Sequence, residues 1–307
     1  MTRQRTLKNV IRATGVGLHT GEKIHLTLRP APVDTGVVFL RSDLPDAPPI
    51  PARASHVGAT DLATTLVAGA ARISTVEHLL AAFAGLGIDN VYVDVSAAEV
   101  PIMDGSAAPF VFLIESAGIA EQDAPRRFLR VLRRIEWTDG DARVSIAPHD
   151  GLRLSYELRY EHPVMARHTH RASLDLARSA FSKELARART FGFLKDFEQL
   201  RARGLARGCN LDNVIAVGDE RILNDGGLRY DDEFARHKLL DALGDLYLLG
   251  APLIGAFEGY KSGHAANNAL LSRLLAEPDA FEMVTFDRVG ADRAAEARRV
   301  ERAVLVD

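Results

Sequence analysis

The residues of this chain best able to do chemistry lie in two short segments, Ser74-Thr-Val-Glu-His78 and His237-Lys-Leu-Leu-Asp241. Side chains four apart on a helix share one face, so His237 and Asp241 can grip one ion from the same side. His78, with Glu77 beside it, can approach from a second helix. Two imidazoles and one carboxylate make three protein ligands, a number that keeps the fourth tetrahedral position of zinc for water. Glu77 is then the base that such a water needs. The chemistry this pattern points to is metal-assisted hydrolysis.

Each piece also has a plainer reading. Ser74-x-x-Glu77 fits a capping box, in which Glu77 reaches back to the start of its own helix. His237, Asp241 and Asp245 at i, i+4 and i+8 fit a solvated polar stripe, and Lys238 is placed for an i, i+3 ion pair with Asp241. His264 follows Gly263 and opens a helix, either at the mouth of a site or on the surface. Thr190, between Arg189 and the aromatic pair Phe191 and Phe193, either aims a hydroxyl at a developing oxyanion or sits in an edge strand. Gly15 to Gly21 is a glycine-rich turn without the Gly-Lys-Ser/Thr ending of a phosphate loop. His168-Thr-His170 puts two imidazoles on one strand face, where exposed polarity is the simpler cause.

The elements that must position these groups follow from periodicity. Strands are expected at Lys23–Arg29, Val37–Arg41, Ala63–Val67 and Asn90–Val95. A helix is expected from Ser74 to a glycine stop near Gly85–Gly87, because Val76, Leu79, Leu80 and Phe83 form an apolar stripe. A shorter helix covers Pro109–Gly118. Gly118 to Pro125 carries few large apolar residues and marks a domain boundary, giving units 1–123 and 124–307. Beyond it, strands are expected near Phe128–Arg133, Ala142–Ala147, Leu152–Tyr160, His168–Leu174, Val214–Val217 and Leu253–Phe257. Helices are expected near Leu176–Ala186, Leu194–Arg203, Phe234–Leu249 and Ala265–Leu275. The last twenty residues read as a surface tail. Two units of strands, two helices and a closing strand make an α+β architecture with a helix layer on each sheet.

With 307 residues, 47% of them hydrophobic, the chain can bury a full core. A net charge of -3 lacks the basic footprint that nucleic acid as the main partner demands. The single cysteine, Cys209, forms no internal disulfide and fits a reducing compartment. No apolar stretch reaches the length of a membrane span, and the start lacks the apolar core of a signal peptide. A cytoplasmic protein without stable membrane insertion is the expectation, and a monomer is taken as its state.

Taken together, the motifs resemble the UDP-3-O-acyl-N-acetylglucosamine deacetylases, the zinc amidases of lipid A biosynthesis. The matching segments are Gly15-Val-Gly-Leu-His-Thr-Gly21, Ile73-Ser-Thr-Val-Glu-His-Leu79, Ala84-Gly-Leu-Gly-Ile-Asp-Asn90, Pro101-Ile-Met-Asp-Gly-Ser-Ala-Ala-Pro-Phe110, Ala188-Arg-Thr-Phe-Gly-Phe193, Phe234-Ala-Arg-His-Lys-Leu-Leu-Asp241 and Tyr260-Lys-Ser-Gly-His-Ala-Ala-Asn-Asn268. They occur in the family's order along nearly the whole chain. The resemblance implies two β-α-α-β domains that sandwich their helices between two sheets. It implies His78, His237 and Asp241 as ligands of Zn2+; a two-histidine, one-carboxylate set also tolerates Fe2+. It implies Glu77 as general base, His264 as a cationic histidine oriented by Asp245, Thr190 as the hydroxyl that polarises the carbonyl, and Lys238 as a substrate contact. Leu18, Phe191 and Phe193 match the hydrophobic passage for an acyl chain. Tyr160 stands near the uridine end, where the family often has phenylalanine. The implied partner is an acylated UDP-sugar, deacetylated by hydrolysis.

Overall fold

The computed structural model describes residues 2–176 and 181–286. The tail expected over the last twenty residues lies outside the described residues. Five α-helices carry the architecture: α1 (Glu77–Leu86), α2 (Ala108–Ala117), α3 (Leu194–Ala202), α4 (Glu233–Leu246) and α5 (His264–Leu275). The fold is α+β, as the patterning implied.

The first half is built on a five-stranded sheet in the spatial order Ile11–Val16, Lys23–Pro30, Val91–Val95, Val37–Arg41, Ile50–Pro51. Alternation explains its central strand. Val91, Val93 and Val95 are buried, while Asp94 faces outward to meet the Arg29 guanidinium at 2.6 and 2.9 Å. The second half is built on a seven-stranded sheet, in which Leu253–Tyr260 pairs with Ala142–Ala147 on one side and Leu152–Glu157 on the other. Between the sheets α4 packs on Leu152–Glu157, on α5 and most closely on α1. One glycine sets that last approach. A Cβ placed on Gly244 in α4 would lie 2.0 Å from the carbonyl oxygen of Glu77, so only glycine lets the two backbones meet. The contact brings the start of α1 alongside the middle of α4.

Four details differ from, or add to, the expectations. First, α1 starts at Glu77 rather than Ser74. Thr75 has φ 58, outside the helical region, and Ser74 Oγ accepts from Thr65 Oγ1 at 2.9 Å. No capping box forms. The Glu77 carboxylate instead accepts the backbone N–H of Thr64 at 3.0 Å, so its charge is turned inward. The glycine stop is as expected: Gly87 adopts the left-handed conformation, and its N–H reaches the carbonyls of Phe83 and Ala84. Second, the stretch Gly118–Pro125, where the sequence suggests a domain boundary, carries a strand that had no expectation assigned. Ile119–Pro125 is a strand antiparallel to Arg3–Leu7, and the next sheet strand begins at Arg127. Its few apolar residues hid a strand none of whose residues is fully buried. Third, the strand expected at Ala63–Val67 shrinks to Leu66–Ala68, because Thr64 is drawn out of any ladder toward Glu77. Where a helix was expected over 176–186, Phe181–Leu185 forms a single π turn, and 177–180 lie outside the described residues. The strands Arg3–Leu7, Ile11–Val16, Ile135–Asp139 and Phe281–Thr285 had no expectation assigned.

Candidate active site

The close α1–α4 contact assembles the site. His78 comes from the first turn of α1, and His237 and Asp241 from successive turns of α4. Nε2 of His78 and Nε2 of His237 lie 3.4 and 3.3 Å from the same oxygen, Oδ1 of Asp241. The two rings meet edge to face, with centroids 4.9 Å apart. One ligand atom from each of the three residues falls within 4.8 Å of the others, and all three residues are buried. This is the only such cluster among the described residues.

Whether the cluster fits a cation is tested by its hydrogen bonds. Oδ1 of Asp241 is buried and accepts none among the described residues. Nδ1 of His237 is engaged by the carbonyl of Ala188 at 3.1 Å, which puts its proton there and leaves the Nε2 lone pair facing Asp241. Burial pushes His237 down to about 3, with Asp241 only partly offsetting it. The ring is therefore neutral, as a metal ligand must be. Burial opposes the charge on Asp241, but the Lys238 ammonium beside it helps hold the carboxylate well below its usual range. The neutral His237 ring, the His78 imidazole beside it and an anionic oxygen without a donor fit a divalent cation.

Two further groups border the cluster. Glu77 is almost fully buried, and burial raises its carboxyl above the ordinary value despite the nearby His264 and His78. His264 opens α5, where Gly263 precedes it in extended conformation. Its Nε2 lies 3.9 Å from Oε1 of Glu77, and its Nδ1 donates to Oδ2 of Asp245 at 2.8 Å. Burial disfavours a charged His264, but Asp245 and Glu77 outweigh it and raise the ring to about 9. Asp245 is itself fixed by Thr64 Oγ1 at 2.6 Å and Asn267 Nδ2 at 2.8 Å.

Lys238 forms the i, i+3 pair that its spacing allows: Nζ donates to Oδ2 of Asp241 at 2.5 Å. Burial opposes its charge, but Asp241 raises it above its ordinary value, so it stays cationic beside the cluster. Thr190 precedes a short strand, Phe191–Phe193, that pairs in parallel with Ile215–Val217. Its N–H donates to Gly105 O and its carbonyl accepts from Ile215, both at 2.8 Å. The edge-strand reading of this segment therefore holds for Phe191 and Phe193, with Thr190 at the strand's entrance.

Thr190 also lines an apolar cavity of about 260 Å3 with Leu18, Phe191, Phe193, Phe197, Leu200 and Cys209. The cavity adjoins the cluster, since the Phe191 ring lies 6.4 Å from that of His237. Leu18 is held there by the glycine-rich turn. The buried Glu99 accepts the backbone N–H groups of His19 and Thr20, each at 2.9 Å. A Cβ on Gly208 would lie 2.1 Å from Gly17 O, so this turn presses on the Arg207–Cys209 backbone. Tyr160 is half exposed, with its ring 5.3 Å from Phe193 and 6.2 Å from Phe191. The geometry thus gathers the three cluster residues with Glu77, His264, Asp245 and Lys238, and joins Leu18, Thr190, Phe191 and Phe193 in one adjoining cavity. His168 is not drawn in; its Nδ1 lies 3.6 Å from Asp231.

Thr64, Asn267, Ala188 and Glu99 escaped the sequence reading. Asn267 had a signal, because it follows His264 by three residues on one helical face. Thr64 and Glu99 act from outside helices, where no period marks them.

An α+β fold that closes a buried two-histidine, one-aspartate cluster between its helices, with a carboxylate and a cationic histidine beside it, defines a metal-dependent hydrolase. The chain belongs to the UDP-3-O-acyl N-acetylglycosamine deacetylase (LpxC) family, whose sequence model matches residues 4–276. A protein of Hahella chejuensis (strain KCTC 2396) named UDP-3-O-acyl-N-acetylglucosamine deacetylase is 60% identical over 290 residues, 94% of this chain and 96% of that one. One of the same name from Pseudomonas entomophila (strain L48) is 60% identical over 287 residues, 94% of this chain and 95% of its own.

Proposed function

We propose that this chain hydrolyses the acetamide of UDP-3-O-(3-hydroxyacyl)-N-acetylglucosamine, releasing acetate, the committed step of lipid A biosynthesis. The observation that carries the reading is the convergence of His78, His237 and Asp241 within 4.8 Å, with Glu77 and His264 3.9 Å apart beside them. Family membership and the names of the two relatives support the substrate class.

His78, His237 and Asp241 would hold Zn2+, and Fe2+ suits the same donors. When bound, such an ion lowers the pKa of water toward neutrality and draws charge from a carbonyl oxygen. Glu77 takes the proton of the attacking water. Its buried carboxylate has a raised proton affinity, which suits a base working near neutral pH. The Thr190 hydroxyl donates to the oxyanion that develops on the acetamide. His264, charged at neutral pH, gives its proton to the leaving amine from Nε2, while Asp245 holds Nδ1. Lys238 keeps Asp241 anionic and lies beside the reacting centre as a substrate contact.

The acyl chain fills the apolar cavity of Leu18, Phe191 and Phe193, and Tyr160 stacks near the uridine end. No helix among the described residues is long and apolar enough to cross a membrane; a cytoplasmic enzyme drawing on an amphiphilic substrate fits that. The direct test is release of acetate from the acylated nucleotide sugar by the purified protein, with and without chelator. Turnover that is unchanged after the metal is stripped overturns the reading.

A further inference from the structure

Glu233 is the first residue of α4 and has no exposed surface, yet the proposed reaction assigns it nothing. Its carboxylate is saturated. Oε1 accepts the backbone N–H of Arg189 at 3.0 Å and its Nε at 2.9 Å. Oε2 accepts Arg189 Nη2 at 3.1 Å and the backbone N–H of Arg229 at 2.5 Å. Four bonds to one buried carboxylate are more than neutralising Arg189 requires, and two of them hold backbone.

The position of those backbone groups matters. The N–H of Arg189 belongs to the same peptide plane as the carbonyl of Ala188. That carbonyl engages Nδ1 of His237 at 3.1 Å. Glu233 and His237 stand four apart on α4, on one face, one turn from each other. One helix therefore grips a single rigid peptide plane at both ends, its N–H through Glu233 and its C=O through His237. The carbonyl in turn decides which ring nitrogen of His237 carries the proton. The next residue along the chain is Thr190.

We propose that Glu233 is a positioning residue. By fixing the Ala188–Arg189 peptide plane, it sets the tautomer and orientation of His237 and the placement of the Thr190 hydroxyl. The inference rests on the reading of His237 as a metal ligand. Outer partners of this kind typically contribute on the order of 10–100-fold in metal affinity or activity.

The test compares wild type, E233A, E233Q and H237A, each purified as full-length protein, stripped and titrated with Co2+. The readouts are the dissociation constant, the visible absorption of bound Co2+, and kcat separately from KM. E233A is expected to bind Co2+ about 10–100-fold more weakly, with an altered spectrum, and to lose kcat more than KM. E233Q keeps an oxygen in reach of the Arg189 N–H and should recover most of the affinity. If circular dichroism shows E233A unfolded, E233D replaces it, since the shorter side chain keeps the charge but withdraws from the peptide plane; the same loss is expected. Wild-type affinity and spectrum in a folded E233A or E233D overturn the proposal. So does an E233Q as impaired as E233A, which would leave only the charge of Arg189 to explain the loss. If H237A instead binds Co2+ as wild type does, the ligand assignment itself has failed, a separate result.

Discussion

Nε2 of His264 lies 3.9 Å from Oε1 of Glu77, two groups from different helices that meet beside the cluster. Burial raises Glu77 above the ordinary carboxylate value, while Asp245 and Glu77 together raise His264 to about 9 against its own burial. The proposed chemistry needs the first ionised and the second protonated. Activity should therefore climb as pH rises through the raised value of Glu77 and fall as pH passes about 9. Removing the charge on Asp245, as in D245N, takes away the largest influence favouring protonated His264, so the basic limb should shift to lower pH. A kcat/KM profile of both proteins measures this. A basic limb that stays in place in D245N removes Asp245 from the argument.

Glu77 accepts from the Thr64 N–H but contributes no atom to the three-residue cluster. E77A should thus keep its metal while losing roughly 10²–10⁴-fold in kcat, the usual range for a general base. H237A should lose metal and activity together. Metal content per chain, measured beside turnover, separates the two cases. An E77A variant with near-wild-type turnover would reassign the base.

Gly244 carries a purely steric prediction. Its added Cβ would sit 2.0 Å from the Glu77 carbonyl oxygen, a backbone atom that can yield only if α1 and α4 part. G244A should cost about 1–3 kcal/mol, as overpacked interiors do, and a lower Tm reports it. Activity should fall further than stability alone explains, because His78 leaves with α1. A variant with normal Tm and normal turnover contradicts the view that this contact assembles the site.

How much of this was legible follows from where each residue lies. His237, Asp241 and Asp245 were readable because helical periodicity puts them on one face of α4, and Leu239, Leu240 and Leu243 mark the packing side. His264 with Asn267 obeys the same rule on α5. That His78 approaches them from a second helix was expected, but the contact that brings it there, Gly244 against the Glu77 carbonyl, was not, since nothing local tells a glycine at a helix contact from one merely tolerated. Glu77 illustrates a local signal overridden by tertiary structure. Its spacing from Ser74 fits a cap, but the non-helical φ of Thr75 starts the helix later and turns the carboxylate toward Thr64. The strand at Ile119–Pro125 was lost for a related reason: none of its residues is fully buried, so burial imposed no apolar pattern on it.

The last prediction concerns the apolar cavity. Leu18, Thr190, Phe191 and Phe193 line it, and Phe191 approaches His237. Binding energy gained along an acyl chain there can therefore fix the acetamide at the cluster. Each buried methylene contributes about 0.8 kcal/mol, so shortening the chain by four should lower kcat/KM by on the order of 10²-fold. The unacylated nucleotide sugar should fare worse still. Replacing Phe191 with Ala removes the ring between the cavity and His237, and should flatten the dependence on chain length as well as slow the reaction. A series of acyl lengths assayed on wild type and F191A decides the point. Equal rates across the series for the wild type would mean that the chain lies elsewhere.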